Sequence, residues 1–321
     1  MLFSLLMSLI LPPGEALESR IYAQPNRVYE TYLEYRTKLQ YNQSRGAFLW
    51  HRLGLKAAIM SNRFEQAEAL LRKLSGKPWI DMVNETPGAF LSDLGVLFRR
   101  TGDNRLAIQV YQCAIGQADA DTVVTLINLA VVLKKSGQYD KALTRLKQAQ
   151  PLIEKATHEA AFHNNLGNVY AELKDHPKAL IHLRKAYFLR TKLGNLAGQI
   201  RTGLNLLDNM IQAANVDEGL RLMSSLQPLV ERQANPEYNT VLLWQGTALK
   251  VLSGEVLSEA KRTGLITELN KVPEARHAVI QYAPLLDLQL PVLNQVTPID
   301  VASIDLAPVL HALACDISER G

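Results

Sequence analysis

Three alanines, Ala107, Ala142 and Ala179, stand 35 and 37 residues apart in a chain of 321. Ahead of each comes a Leu, a small residue and then a bulky one: Leu94, Gly95 and Phe98; Leu129, Ala130 and Leu133; Leu166, Gly167 and Tyr170. Behind each runs a second apolar series at helical spacing, with Tyr111 and Ala114, Leu146 and Ala149, Leu183 and Ala186. At about 100° per residue each series falls on one stripe of a helix. Every unit is therefore an antiparallel helix pair, turning at Gly102, at Gly137 and at "KDHP". Gly167 and Ala179 mark where the two backbones come closest, with Tyr170 and Leu183 filling the space beside them. A pair of this size cannot bury its stripes alone, so the chain must stack its units rather than wrap one large core.

A period near 34 with this residue order resembles the tetratricopeptide repeat. The resemblance is strongest over residues 88 to 190, with three repeats. Upstream, "FLWHRLGLKAAIMSNRFEQAEALLRKL" offers Leu53, Gly54, Ala67 and Leu71, with one residue too many between Gly54 and Ala67. Downstream, "RTGLNLLDNMIQAANVDEGLRLM" keeps Leu206 and Met210 but has Leu207 and Gly219 where small Gly and Ala are usual. Residues 237 to 270 would supply one more pair. The resemblance implies an all-α fold, an α-α superhelix (a TPR solenoid) with an N-terminal cap helix and an irregular apolar C-terminal cap. The expected organisation is a signal peptide at 1–16, the cap helix at 17–45, the repeat array at 46–235, and a degenerate helix pair with a cap or tail at 236–321.

The ends read differently from the middle. "MLFSLLMSLIL" is apolar, too short to span a bilayer, and is followed by small residues at Gly14 and Ala16. That pattern reads as a secretory leader cut near Leu17 and predicts a periplasmic or secreted protein, with a cytoplasmic protein as the alternative. The cap helix, beginning after Pro25, carries Tyr29, Tyr32, Leu33 and Arg36 at helical spacing, and its tyrosines read as packing residues. "GKPWIDMVNETPGA", residues 76 to 89, breaks the pattern with two prolines and reads as a long loop or hinge exposing Trp79. Residues 278 to 318 contain no Lys or Arg, which suits a cap over the last repeat or a segment that folds back into the groove. Alternation in "DLQLPVL" suggests an extended piece there. Cys113 and Cys315 are the only cysteines. They read as free buried thiols, able to pair only if the chain is exported.

Chemistry is hard to find in this sequence. His158 and His163 in "HEAAFH" are five apart, about 140° around a helix, so they cannot chelate one metal as a zinc protease pair does. There is no glycine-rich phosphate loop, no G-x-S-x-G and no C-x-x-C. The expectation is no enzyme, no cofactor and no metal. A net charge of +4 is too small to argue for nucleic acid. No transmembrane span is expected, and oligomeric state cannot be read.

What remains is the face of each first helix turned away from its buried stripe, which the resemblance makes the lining of a concave groove. Asn128, Asn165 and Asn205 occupy one position in three successive units, joined by Asn164 and Asn168. A primary amide both donates and accepts, so such a ladder can hold an extended backbone without reading its sequence. The alternative is that these amides serve local helix contacts. The pairs Arg99–Arg100 and Lys134–Lys135 suit an acidic partner, or simply a helix C-terminus. The functional expectation is a scaffold holding a protein or extended peptide in the groove, in envelope or surface-complex assembly. A sensory receptor for a peptide or small ligand is the alternative.

Overall fold

The computed structural model describes residues 15–22, 24–290 and 315. The first fourteen residues, most of the expected leader, and most of the expected tail lie outside the described residues. Sixteen α-helices and no strand occur among those described. They are α1 (Glu15–Arg20), α2 (Pro25–Arg36), α3 (Arg45–Met60), α4 (Phe64–Ser75), α5 (Trp79–Glu85), α6 (Pro87–Thr101), α7 (Asn104–Ile115) and α8 (Thr122–Lys135). There follow α9 (Tyr139–Ala149), α10 (Ala156–Glu172), α11 (His176–Lys192), α12 (Leu196–Gln212), α13 (Val216–Gln233), α14 (Pro236–Leu252), α15 (Glu259–Lys271) and α16 (Arg276–Val279). The chain divides into two compact units, Met1–Gly137 with Gln295–Gly321, and Gln138–Asn294.

Helix starts follow from local chemistry. Side chains of Asp103, Asp121, Asp175 and Asn195 accept from the N–H three residues on, at 2.9, 3.0, 3.2 and 2.9 Å. Each satisfies one of the four donors that a helix N-terminus leaves orphaned. Helix ends are more uniform than the sequence suggests. Asn62, Gly102, Gly137, Lys174, Ala214 and Gly254 all adopt positive φ, between 52° and 99°. Only three of the six are glycine, so the turn geometry repeats where the residue type does not.

In the first unit α2 and α4 both pack on α3. A Cβ on Gly54 would stand 2.7 Å from the ring of Tyr32, so the glycine of α3 serves α2. Between α6 and α7 the close approach is at Gly95, where a Cβ would meet Tyr111 at 2.4 Å. The segment expected to be a loop holds the short helix α5, and Trp79 is buried, edge-on to His51 with ring centroids 5.1 Å apart. An indole at the first turn of a helix that packs back onto α3 removes more apolar area from water than an exposed loop could.

In the second unit the first helices of the pairs are buried on several sides and the second helices along one stripe. The helix α10 buries Ala160, Phe162, His163, Leu166, Gly167 and Val169, whereas α11 buries Ala179, Leu183 and Ala186. Gly167 would place a Cβ 2.7 Å from Leu183 and 3.1 Å from the Ala179 carbonyl, as the small-residue pattern predicts. One pair later the tight contact has moved: a Cβ on Gly203, one turn before Leu207, would lie 2.5 Å from Leu226. The crossing of α12 on α13 falls at Gly203, and Leu207 becomes ordinary core. The residues after α15 complete this core. Val279, Tyr282, Ala283 and Leu286 pack with Trp244, Leu249, Leu265 and Leu269. Residues 287–290, the described part of the expected extended piece, form a turn at Asp287, with φ of 52°, and then neither helix nor strand.

The cysteines are not free. Cys113 on α7 and Cys315 form a disulfide, with Cα atoms 5.8 Å apart. Two thiols 202 residues apart in sequence carry no local signal of pairing, so proximity arises only in the folded chain.

Candidate functional site

On the first unit, α6, which carries the predicted Arg99 and Arg100, is tied to its neighbours. Asp93 is buried and accepts from Arg52 at 3.0 Å, with Lys56 at 3.4 Å, tying α6 to α3. The Ser92 and Thr125 hydroxyls meet at 3.2 Å, linking α6 to α8. Arg100 reaches the turn between α3 and α4, donating to the Met60 carbonyl at 3.2 Å and to Asn62 Oδ1 at 2.7 Å. Arg99 stands beside the buried Tyr111 hydroxyl, which burial pushes up and the guanidinium pulls down. Lys134 and Lys135 close α8. The Lys135 ammonium is pulled below its ordinary range by partial burial and by repulsion from Arg99, Lys134 and Arg100. Four predicted cations therefore share one field at the ends of two neighbouring helices. Asn128 is half-buried on α8 and makes no hydrogen bond among the described residues.

On the second unit, the asparagines do different things. Asn205 donates from Nδ2 to Asn164 Oδ1 at 3.1 Å, joining α12 to α10. Asn165 donates to the Ala161 carbonyl of its own helix at 2.9 Å. Asn168 is half-buried and makes no hydrogen bond among the described residues. The amides thus include one interhelical pair and one local contact, the latter being the alternative the sequence left open.

A residue the sequence did not single out dominates this face. Tyr282 donates its hydroxyl to Asp208 Oδ1, Gln281 Nε2 donates to the same oxygen at 3.0 Å, and Gln212 Nε2 to Oδ2 at 2.9 Å. Gln245 on α14 donates to the Tyr282 hydroxyl oxygen at 3.1 Å and to the Leu204 carbonyl at 3.0 Å. Burial pushes the Asp208 carboxyl up, while the Tyr282 and Gln212 donors oppose the shift. Residues 281 and 282 so lie on α12, the helix that carries the predicted groove residue Asn205. No local pattern could have announced a contact between residues 74 apart.

The histidines fall into packing roles. His163 and His182 bring their Nδ1 atoms to 2.9 Å with stacked rings, and Tyr170 stacks on His182. His163 is pushed down to about 4 by burial, with Lys185 and His182 adding to the shift. Among the described residues no group of three His, Cys, Asp or Glu side chains could hold a metal ion, and no helix is long and apolar enough to cross a membrane.

Residues 121–192 match the family model of the tetratricopeptide repeat. Among solved structures the chain is similar to BtubC from P. vanneervenii, at 18% identity over 76% of this chain and 94% of that one, with a TM-score of 0.41. It is also similar to the apo form of RapI, at 16% identity over 82% of this chain and 79% of that one, with a TM-score of 0.49. No curated protein matches it. The matched residues take in the pair α10–α11 that approaches at Gly167–Leu183, and over them this chain is similar to the tetratricopeptide repeat.

Proposed function

We propose that the protein is a non-catalytic scaffold that holds an acidic, extended segment of a partner protein against the ends of α6 and α8. The repeat is a protein-interaction module. The observation that carries the reading further is the mutual field of Arg99, Arg100, Lys134 and Lys135. Cations in a last helical turn complement the helix dipole by about 0.3–1 kcal/mol each. Here burial and, after it, repulsion from the other three depress Lys135, and a carboxylate-bearing partner would offset the repulsion. The unbonded side-chain amide of Asn128, on α8, is available to a peptide backbone.

The test is fluorescence anisotropy with a twelve-residue peptide rich in Glu, against the wild type and a Lys134→Glu/Lys135→Glu variant. Tenfold or greater weakening, and loss of binding with added salt, is the expected result. Equal affinity for both proteins would sink the reading.

The compartment belongs to the same proposal: an exported protein acting in envelope or surface-complex assembly. The apolar leader supports it, and so does the Cys113–Cys315 disulfide, since such bonds persist in oxidising compartments. Fractionating the host, reading the mature N-terminus and labelling free thiols tests it. A cytoplasmic chain that retains Met1 and two labelled thiols would refute export.

A further inference from the structure

The helices α2 and α4 lie side by side on α3 and leave a crevice between them, lined by Tyr29, Tyr32, Arg36, Gln66, Ala69, Leu70 and Lys73. Its floor is apolar, since the tyrosines and Leu70 are buried. Its polar groups are cations. Neither Arg36 nor Lys73 has an acidic partner among the described residues, although acidic side chains lie on the same helices; Glu68, for example, is held by Arg72 at 2.6 Å. A third cation, Arg63, lies over the Tyr29 ring at 5.2 Å, and its Nε is buried without a partner. Lys73 has only the Trp79 ring to face, at 5.7 Å.

This arrangement is costly as it stands. The Lys73 ammonium is pulled down by burial and by repulsion from Arg36, and Arg36 and Arg63 both act on the Tyr29 hydroxyl, against its upward shift from burial. Three cations around two buried tyrosines, with no carboxylate among them, match an anion that comes from outside the chain.

The cavity has a volume of about 210 Å³. At roughly 30 Å³ of liquid volume per water, that is room for about seven waters, or a molecule of about ten heavy atoms. The walls offer tyrosine faces, an alanine and a leucine, with the Gln66 amide and the tyrosine hydroxyls as neutral polar groups. An inorganic phosphate would pair with the cations but leave the apolar floor uncovered. A carboxylate with an apolar body satisfies both parts of the lining, because guanidinium and ammonium groups pair with its oxygens while the tyrosines take the remainder.

We propose that the α2–α4 crevice is a binding site for a small organic carboxylate, held by Arg36 and Lys73 and seated on Tyr29, Tyr32 and Leu70. That chemistry has two sources, a free small acid or the C-terminal residue of a peptide. The packing role that the sequence assigns to the tyrosines is compatible with it, since the same rings that cover α3 form the floor.

The experiment is calorimetric titration of the full chain with phenylacetate and with acetyl-Ala-Ala-Phe, each against its neutral amide. Single Arg36→Gln and Lys73→Gln variants are measured alongside, with far-UV circular dichroism to confirm the fold. The expected result is one site per chain for at least one of the acids, at least tenfold tighter than its amide, and weakened at least tenfold by either substitution. Binding of phenylacetate assigns the free acid as source. Binding of the tripeptide alone assigns a chain terminus. Acids that bind no better than their amides, or affinities that Arg36→Gln and Lys73→Gln leave unchanged, overturn the proposal.

Discussion

The hydroxyl of Tyr282 donates to the carboxylate of Asp208, joining the segment that follows α16 to α12 across 74 residues. Three donors converge on that carboxylate, and one of them is in turn bonded by Gln245. Tyr282→Phe should therefore loosen residues 276–286 first. A lost hydrogen bond to a charged group costs about 1.5–3 kcal/mol, and hydrogen exchange over that segment should accelerate accordingly. Asp208 sits above its ordinary carboxylate range, so its charge opposes folding at neutral pH and the penalty fades as pH falls through its raised value. The effect of Tyr282→Phe should shrink over the same fall. An unchanged exchange pattern would show that the contact does not hold the segment.

The stacked His163–His182 pair sets an acid limit on the second unit. The folded pKa of His163 is about 4, below its ordinary 6.5, because its cation would be buried beside Lys185 and His182. Glu159 opposes the shift and also holds Lys185 at 2.7 Å. A group depressed on folding contributes its full stability above the unfolded value and loses it as pH falls towards the folded one. Urea midpoints should decline between pH 6.5 and 4, with His163 able to withdraw up to about 3 kcal/mol. A His163→Gln variant should decline less. Parallel curves for the two proteins would exclude the pair as the cause.

Gly95→Ala tests the closest helix approach. Its Cβ would meet the Tyr111 ring at 2.4 Å, and that ring is fully buried with no room to move. Overpacking costs about 1–3 kcal/mol, more than the up to about 1 kcal/mol that Ala gains over Gly in a helix. The variant should unfold at lower urea. A midpoint equal to or above that of the parent would mean that the helices can part at little cost.

Ala214→Gly should do the reverse. Ala214 holds φ at 52° in the turn between α12 and α13. A left-handed alanine costs about 1–2 kcal/mol, while glycine adds about 0.4–1 kcal/mol of unfolded-state entropy. The net expectation is a gain of about 0.5 kcal/mol, measured as a raised thermal midpoint. A drop would show that the methyl packs more than it strains.

The sequence by itself determined the helix-pair period and the places where backbones touch. Leu166, Gly167, Ala179 and Leu183 specify a stripe, a gap and its filler within twenty residues, and near-neighbour spacing on a helix is a local property. Tertiary structure alone decided the rest. It moved the α12 contact from Leu207 to Gly203, because the stripe fixes which face is buried but not where along it the partner helix crosses. It buried Trp79, paired Cys113 with Cys315, and turned Asn165 onto its own helix while joining Asn205 to Asn164. The α2–α4 crevice belongs to the same class, since Arg36 and Lys73 become neighbours only when both helices lie on α3. Each of these depends on residues brought together from different helices, and helical periodicity says which way a side chain faces but not what it will meet.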